Sequence, residues 1–453
     1  MVQKLERRTE IVLCALIGLS VAVVGVRAAA DGYLPQPFYY LKSDTLMDWF
    51  NTAYWAQRPD AYQRWGAIYP PVSLDFLQLV SLHGCYRRDA LIGRACDWLG
   101  AAALLASYLA SVSLAFVAFR AKDRRTAAVR GLAFAIGFPM LFALERGNLV
   151  LPSLAIFILA ESELVKAWRL RAFAFALAVN FKPYLIVTGL SQLVLRRPLR
   201  FAVAIAACLA VYALSYAIHG SGSPPQLLRN LHRFVGTAAG NYWNDIYNPT
   251  SFIPLLDYIF FNAEFRAAWP GWLLAAAPYA LIGTMVAGLI GALACYGAAF
   301  LRYIEVPSTR LAAMALGVVL TATGASGYSE IFLLFLVFLE RWENPGFGAA
   351  LVGAYLLSIS ADLVVMPVPM AAMHSWLSGR EVTPAAGYAI GQVLRPALMF
   401  VVEFGLIAGT LLELRASLRR RADRNDAPPR RPAAEQRHEV GGAEALPVEL
   451  CQG

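Results

Sequence analysis

Charged residues are scarce in this chain of 453 residues. Asp, Glu, Lys and Arg make up only 15% of the sequence, whereas hydrophobic residues make up 58% and the mean hydropathy is +0.53. Soluble domains carry about 25% charged and about 45–50% apolar residues, and a water-soluble fold of this length cannot bury so much apolar surface. The composition excludes disordered, collagen-like and secreted-scaffold proteins, and it predicts a polytopic membrane protein.

Cysteine and histidine are also scarce, with six and five residues. The chain has no CxxC motif, no Cys/His cluster and no Asp-x-Asp pair, so it predicts neither a metal site nor a cofactor. Cys85 and Cys96 would pair if both faced an oxidising compartment. Their interpretation as small apolar core residues is the favoured one.

Apolar runs of about the 20 residues that a membrane-crossing helix needs recur along the chain. They cover 11–28, 98–119, 128–144, 148–163, 199–218, 275–300, 309–325, 329–340, 347–366 and 388–412. A further run, 172–195, is interrupted by Asn180-Phe181-Lys182-Pro183. Proline breaks a helix and a lysine inside a membrane is costly, so this run predicts a hairpin of two short helices. The sequence therefore predicts an all-α integral membrane protein with about twelve transmembrane helices.

The positive charges give this bundle an orientation. Most Lys and Arg residues fall in 1–10, 120–130, 161–171, 196–200, 302–310, 340–345 and 415–453. Positively charged connections stay in the cytoplasm, so both termini are expected there. The Ala- and Arg-rich usage is typical of a GC-rich bacterium, which places the protein in the plasma (inner) membrane. Region 1–414 is expected to be one membrane domain, and the basic tail 415–453 a disordered segment that contacts anionic membrane lipids rather than nucleic acid.

Two outer connections, 27–97 and 219–270, are much longer than the others. Long loops in compact proteins are usually functional. In the first, Asp44 and Asp48 are four residues apart and would share one face of a helix capped by Ser43. Two carboxylates in such proximity repel each other, which raises the pKa of one of them and favours a general base. The alternative is that Asp44 is only a helix N-terminal charge.

The same loop continues to Tyr69-Pro70-Pro71, which opens an apolar segment expected to lie outside, along the membrane surface. An Asp-bearing helix followed by Tyr-Pro-Pro resembles the first extracytoplasmic loop of glycosyltransferase family 87. Weaker similarities follow over about 10–340: Glu145-Arg146-Gly147-Asn148, Asn180-Phe181-Lys182-Pro183-Tyr184 with Leu195-Arg196-Arg197, and Asn241 to Ser251. Two departures are Asp48, where the family has a tyrosine, and Ser326 to Glu330, which lacks the family's histidine.

The resemblance implies a GT-C-like bundle that transfers a mannose-like hexose from a polyprenyl-phosphate sugar to a lipid or glycan acceptor on the extracytoplasmic side. It also places Asp44 at the position of the family's loop aspartate, which would make Asp44 the base.

The residue types fit this chemistry independently. A departing phosphate needs cations, and the candidates are Arg58, Arg146 and Lys182. The attacking hydroxyl needs a base, either Asp44 or Asp48. Further candidates for substrate contact are Tyr69, Glu145 and Asn148, and in the second outer loop Tyr242, Asn244 and Asn248.

Each cation also has a structural alternative. Arg146 would pair with Glu145 or a lipid headgroup, and Lys182 would extend its ammonium to the membrane surface. Two other functions remain open: an envelope polysaccharide polymerase or ligase, and a lipid-linked sugar transporter or flippase.

Overall fold

The computed structural model describes residues 2–238, 250–261, 263–267 and 269–426, and most of them are helical. The helices in its first half are α1 (Val2–Asp31), α2 (Met47–Ala56), α3 (Pro71–Leu79), α4 (Ala90–Cys96), α5 (Trp98–Lys122), α6 (Ala127–Ile136), α7 (Phe138–Arg146), α8 (Val150–Glu161), α9 (Trp168–Phe181), α10 (Leu190–Val194) and α11 (Pro198–His219). Those that follow are α12 (Pro224–Ala238), α13 (Ile253–Phe261), α14 (Ala263–Ala267), α15 (Gly271–Phe300), α16 (Ser308–Thr321), α17 (Glu330–Val337), α18 (Pro345–Leu357) and α19 (Gly391–Asp426). Short 3₁₀ turns occupy His83–Tyr86, Pro183–Gly189 and Gly327–Ser329.

Within the described ranges, six helical segments are long and apolar enough to cross a membrane. They are Glu6–Asp31, Trp98–Lys122, Ala127–Arg146, Pro198–His219, Gly271–Phe300 and Gly391–Ala422. The protein buries only 17% of the apolar window in Pro198–His219 and 11% of that in Gly271–Phe300. Apolar surface that the protein leaves uncovered is suited to lipid, and these helices confirm the coarser prediction of several segments that could cross a membrane.

Several of the other predicted spans are shorter helices that form the interior of the bundle. Helix α17 is buried along its whole length, and α8 and α16 are buried over most of theirs. A helix of 12 residues such as α8 rises about 18 Å, which is less than the ~30 Å of the hydrocarbon layer. The core of the fold therefore consists of short helices enclosed by the long ones.

A buried ionic network holds α1 against this core. The carboxylate of Glu10, which is fully buried, accepts hydrogen bonds from Arg130 at 2.7 and 3.0 Å and from the hydroxyl of Tyr355 at 2.9 Å. Arg130 also donates to the carbonyls of Phe338 and Glu340, both at 2.6 Å. Because nearly every donor and acceptor is used, the cost of burying the two charges is offset by their mutual bonds.

The predicted hairpin within 172–195 is confirmed. Helix α9 ends at Phe181, and Pro183 begins the 3₁₀ turn that leads into α10. The N–H of Lys182 still donates to Ala178, and its carbonyl accepts from Leu185. The break places Lys182 at the tip of the hairpin, close to the first outer loop.

The first outer loop contains three short helices and a disulfide. Cys85 and Cys96 are bonded, with Cα atoms 5.6 Å apart, so the favoured interpretation of two unpaired core cysteines was wrong. The carboxylate of Asp97 fastens the same segment, because it accepts bonds from the hydroxyl of Tyr86 at 2.6 Å and from the N–H groups of Leu82 and Gly100.

The Tyr-Pro-Pro segment forms helix α3, which has nine residues. Such a helix rises about 14 Å and is too short to span a membrane. It packs against α2, α9 and α11. Asp75 on this helix lies 3.2 Å from Nδ1 of His219, at the end of α11. Burial raises the pKa of Asp75, and the neighbouring imidazole opposes that rise.

Two predictions about the chain after α18 were wrong. The predicted span 347–366 ends as a helix at Leu357, and β1 (Val364–Pro369) pairs antiparallel with β4 (Ala385–Ala389). Between them, β2 (Met373–His374) pairs with β3 (Glu381–Val382). The residues of β1 are β-branched, Met or Pro, which favours an extended backbone over a helix. In addition, α19 continues to Asp426, so the tail predicted to be disordered from 415 begins as a helix, while 427–453 lies outside the described residues.

Candidate functional site

The candidate site begins at the turn that precedes α2. Asp44 lies in this turn and Asp48 in the first turn of the helix, which starts at Met47. The prediction that both carboxylates lie on one helix was therefore wrong, and Ser43 does not cap it. The residue before the helix is Leu46, which has a left-handed backbone with φ 63°. This conformation costs a non-glycine residue roughly 1–2 kcal/mol, and it turns Asp44 back toward Asp48.

The turn packs on the end of α7. The N–H of Leu46 donates to the carbonyl of Glu145 at 2.6 Å, so Glu145 acts through its main chain while its side chain is buried. Gly147 follows with φ +64°, and a Cβ added there would lie 2.8 Å from the carbonyl oxygen of Leu46. Glycine is thus required at position 147 for two reasons, the left-handed backbone and the close approach of the Leu46 carbonyl.

Arg146 lies between the two carboxylates. Its Nη1 is 3.1 Å from Oδ1 of Asp44, and its Nη2 is 2.6 Å from Oδ1 of Asp48. Its guanidinium also stacks on the ring of Tyr39, 4.5 Å from the centroid. The repulsion expected between the carboxylates is therefore offset by a shared cation. The side chains of Arg146, Asp44 and Asp48 keep 15, 21 and 18% of their surface exposed, so water and ligands reach them.

The two aspartates differ in how fully they are bonded. The second oxygen of Asp48 accepts a bond from Nδ2 of Asn148 at 2.6 Å, so both of its oxygens have strong donors. Asn148 is fully buried, and its own Oδ1 accepts the N–H of Val150 at the start of α8. The second oxygen of Asp44 has only the hydroxyl of Ser43, at 3.5 Å. Asp44 therefore has more capacity to accept a proton from a ligand.

Lys182 completes the site from the tip of the hairpin. Its side chain is 9% exposed, and its ammonium lies between two tyrosine rings, 4.9 Å from the centroid of Tyr69 and 5.7 Å from that of Tyr328. Across the described part of the chain, no carboxylate lies within ion-pairing distance of it. An enclosed ammonium that has aromatic faces and no carboxylate in direct contact is suited to bind an anion.

The ring of Tyr69, a predicted substrate contact, lies beside Lys182 in this site. The carbonyl of Tyr69 accepts a hydrogen bond from the hydroxyl of Tyr62 at 2.7 Å, which fixes the Tyr-Pro-Pro turn. Burial raises the pKa of the Tyr69 phenol, and the negative charge of Asp48 adds to the rise. The phenol is therefore a neutral hydrogen-bonding group at physiological pH.

One predicted cation lies elsewhere. Arg58 donates from Nη2 to the carbonyls of Tyr86 and Arg87, at 3.2 and 3.0 Å, and its guanidinium lies 4.7 Å from the ring centroid of Tyr54. These contacts fasten the disulfide-bonded segment to α2. Arg58 thus supports the loop and does not join Arg146 and Lys182.

Three predicted substrate contacts, Tyr242, Asn244 and Asn248, lie outside the described residues. The sequence did not single out Tyr39 and Tyr328 individually, although Tyr328 belongs to the Ser326 to Glu330 segment.

In the ranges that the structure describes, no group of three or more His, Cys, Asp or Glu side chains is arranged to hold a metal ion.

Comparisons with models of known protein families, with curated proteins and with solved structures find no match to this chain. The resemblance to glycosyltransferase family 87 rests on the residues and the helix pattern given above.

Proposed function

We propose that this chain is an integral membrane glycosyltransferase of GT-C type. It transfers a mannose-like hexose from a polyprenyl-phosphate sugar to a hydroxyl group of a lipid or glycan. The observation that supports this most is the juxtaposition of Asp44 and Asp48, held by Arg146, with the ammonium of Lys182, which forms no ion pair within the described part of the chain. A sugar transfer from a phosphate requires these two elements, a carboxylate base and a cation for the leaving group.

The reaction follows from this division of roles. Asp44 accepts the proton of the acceptor hydroxyl as its oxygen attacks the anomeric carbon. The bond between that carbon and the phosphate oxygen breaks, and its electron pair leaves with the phosphate. Lys182 stabilises the charge that develops there, so no acid has to protonate the leaving group. A single displacement of this kind inverts the anomeric configuration.

Arg146 has a supporting role in this scheme. Its guanidinium donates a hydrogen bond to Asp48 and forms an ion pair with Asp44, so it fixes their positions rather than binding the phosphate by itself. Asp48 is the more fully bonded of the two and orients Arg146. The neutral phenol of Tyr69 and the ring of Tyr328 enclose Lys182 and exclude water, which strengthens its attraction for an anion.

The proposal includes a topology of about twelve spans with both termini in the cytoplasm of a bacterial plasma membrane. Two independent features support the outer location of the site. Lys and Arg concentrate in the connections at the other end of the bundle, as the positive-inside rule requires. The first outer loop contains the Cys85–Cys96 disulfide, and disulfides persist in oxidising compartments.

The test is transfer of radiolabel from polyprenyl-phosphate mannose and related donors to a membrane lipid extract by the purified full chain. Asp44→Asn should lower turnover by about 10²–10⁴, which is the usual contribution of a general base, and leave donor binding intact. Asp31→Asn is the matched control, since Asp31 is an exposed carboxylate at the outer end of α1.

The outcomes separate the candidate functions. If Asp48→Asn is inactive and Asp44→Asn is near normal, the two aspartates exchange roles within the same function. If both variants transfer sugar at the rate of the unaltered chain, the carboxylate mechanism is wrong. The polysaccharide polymerase or ligase would then become the leading function.

A further inference from the structure

A large cavity lies at the end of the bundle opposite Asp44. Helix α8 runs from Val150, beside the candidate site, to Glu161, which lines this cavity. The ends of α5, α9, α10, α15, α16 and α19 and the connecting residues 162–164, 195–197 and 302–307 contribute most of the rest of its wall. Its volume is about 710 Å³, within the range of about 300–1,000 Å³ that is typical of small-molecule sites.

The cavity is lined by six basic side chains and only three acidic ones. We call it the basic cavity, after Lys122, Arg171, Arg196, Arg197, Arg302 and Arg421. Across the described residues, none of these six cations has a carboxylate within ion-pairing distance. The acidic residues do not neutralise it, and one of them, Glu161, is buried and accepts a bond from the hydroxyl of Thr188 at 3.0 Å.

Backbone carbonyls at helix ends position three of the arginines. Arg171 donates from Nε to Ala160 at 2.7 Å, and Arg196 donates from Nε to Phe300 at 2.8 Å. Arg421 donates from Nη2 to the carbonyl of Arg302 at 2.8 Å. A guanidinium has five N–H donors, so each of these arginines keeps donors for a ligand after capping a helix.

Two other arginines of the cavity, Arg197 and Arg302, have no such side-chain hydrogen bonds within the described chain. The side chain of Arg197 has no hydrogen-bond partner within the described ranges. Burial lowers the pKa of Arg197, and the positive charges of Arg200 and Arg171 lower it further. Arg196 and Arg302 have left-handed backbones, with φ of 55° and 59°. An anion bound among these cations offsets their mutual repulsion.

We propose that the basic cavity binds a phosphate-bearing anion, which is either the headgroup of an anionic lipid from the adjacent leaflet or a soluble phosphate compound. Arginine is suited to this role because its planar fork matches two phosphate oxygens at once. The simpler explanation is that these arginines only cap helices and orient the protein in the membrane. Helix capping does not require Arg197 or Arg302, whose side chains donate no bonds to the described chain.

The test compares two double variants of the full chain in phosphatidylcholine nanodiscs. Arg197→Gln with Arg302→Asn removes two charges from the basic cavity, and asparagine tolerates the left-handed backbone. Arg419→Gln with Arg420→Gln removes two exposed charges from the same end of α19, outside the cavity wall. Native mass spectrometry measures retained phosphatidylglycerol, and titration measures binding of pyrophosphate.

We expect the cavity variant to bind at least one of these probes at least tenfold more weakly than the unaltered chain, and the control variant to bind within twofold of it. Loss of phosphatidylglycerol alone identifies the lipid as the source, and loss of pyrophosphate binding identifies a soluble ligand. The proposal is overturned if both variants weaken binding equally, since general surface charge would then suffice. It is also overturned if the unaltered chain binds neither probe in preference to phosphatidylcholine. None of these outcomes depends on the proposed sugar transfer.

Discussion

Replacing Lys182 by methionine separates donor binding from folding. The ammonium is 9% exposed and faces two tyrosine rings but no carboxylate within ion-pairing distance in the described part of the chain. A charge-assisted hydrogen bond contributes about 1.5–3 kcal/mol, and about 1.4 kcal/mol corresponds to a factor of ten in affinity. Lys182→Met should therefore weaken binding of the polyprenyl-phosphate donor by about 10–100-fold.

The same substitution should not lower stability. Methionine has a similar length, removes a poorly solvated charge and adds an apolar contact with Tyr69 and Tyr328. Thermal unfolding of the variant should occur at the same temperature as the unaltered chain or higher. Lys42→Met is the control, because Lys42 is an exposed lysine of the first outer loop and its loss should change neither quantity.

The assays are equilibrium binding of radiolabelled donor and thermal unfolding, measured on the same preparations. The reasoning is refuted if Lys182→Met binds donor as well as the unaltered chain while it unfolds at a lower temperature. Lys182 would then be a structural residue whose rings and main chain hold the hairpin tip, and the phosphate would be bound elsewhere.

Three further predictions concern the scaffold. Gly147→Ala should cost about 1–3 kcal/mol of stability and lower transfer activity. Gly66→Ala is the control, because Gly66 has a similar backbone (φ +63°) but open space around it, so its replacement should cost less stability and leave activity unchanged. Equal losses of stability in unfolding assays would contradict the packing argument. Glu10→Ala should cost about 3–5 kcal/mol because it leaves the buried charge of Arg130 unpaired, and a loss below about 1 kcal/mol in thermal unfolding would contradict it. Burial raises the pKa of Asp75 above its ordinary value, so its contribution to stability is full below that ordinary value and is lost as the pH rises through the raised pKa. Asp75→Asn should remove this pH dependence of stability, and identical pH profiles for the variant and the unaltered chain would exclude it.

The sequence alone predicted much of the helical framework, because the signals involved are local. Hydropathy over about 20 residues located all six long apolar segments. Pro183 located the break in the hairpin, since proline removes a helix hydrogen bond wherever it lies. The apolar segment after Tyr-Pro-Pro forms α3, which begins at Pro71, and proline favours the first turn of a helix. Where the local signal was mixed, as in the Val- and Pro-containing β1, hydropathy alone gave the wrong element.

The candidate site shows the limit of this reasoning. Asp44, Asp48, Arg146, Asn148, Tyr69 and Lys182 were all chosen from the sequence. Their mutual geometry was not, because it depends on a left-handed residue, Leu46, that no local preference predicts. The sequence offered Arg58 and Arg146 as equivalent candidates for a phosphate-binding cation, yet the guanidinium of Arg58 contacts backbone carbonyls rather than carboxylates.

The sequence by itself determined that the chain folds as apolar helices with a polar first loop, because hydrophobicity and proline act over one or two helical turns. Only the tertiary structure decided that Cys85 pairs with Cys96, that Arg146 joins the two aspartates and that Lys182 has no carboxylate beside it within the described chain. These facts depend on distances between segments that lie far apart along the chain. Such distances are set by the packing of whole helices, which no short stretch of sequence specifies.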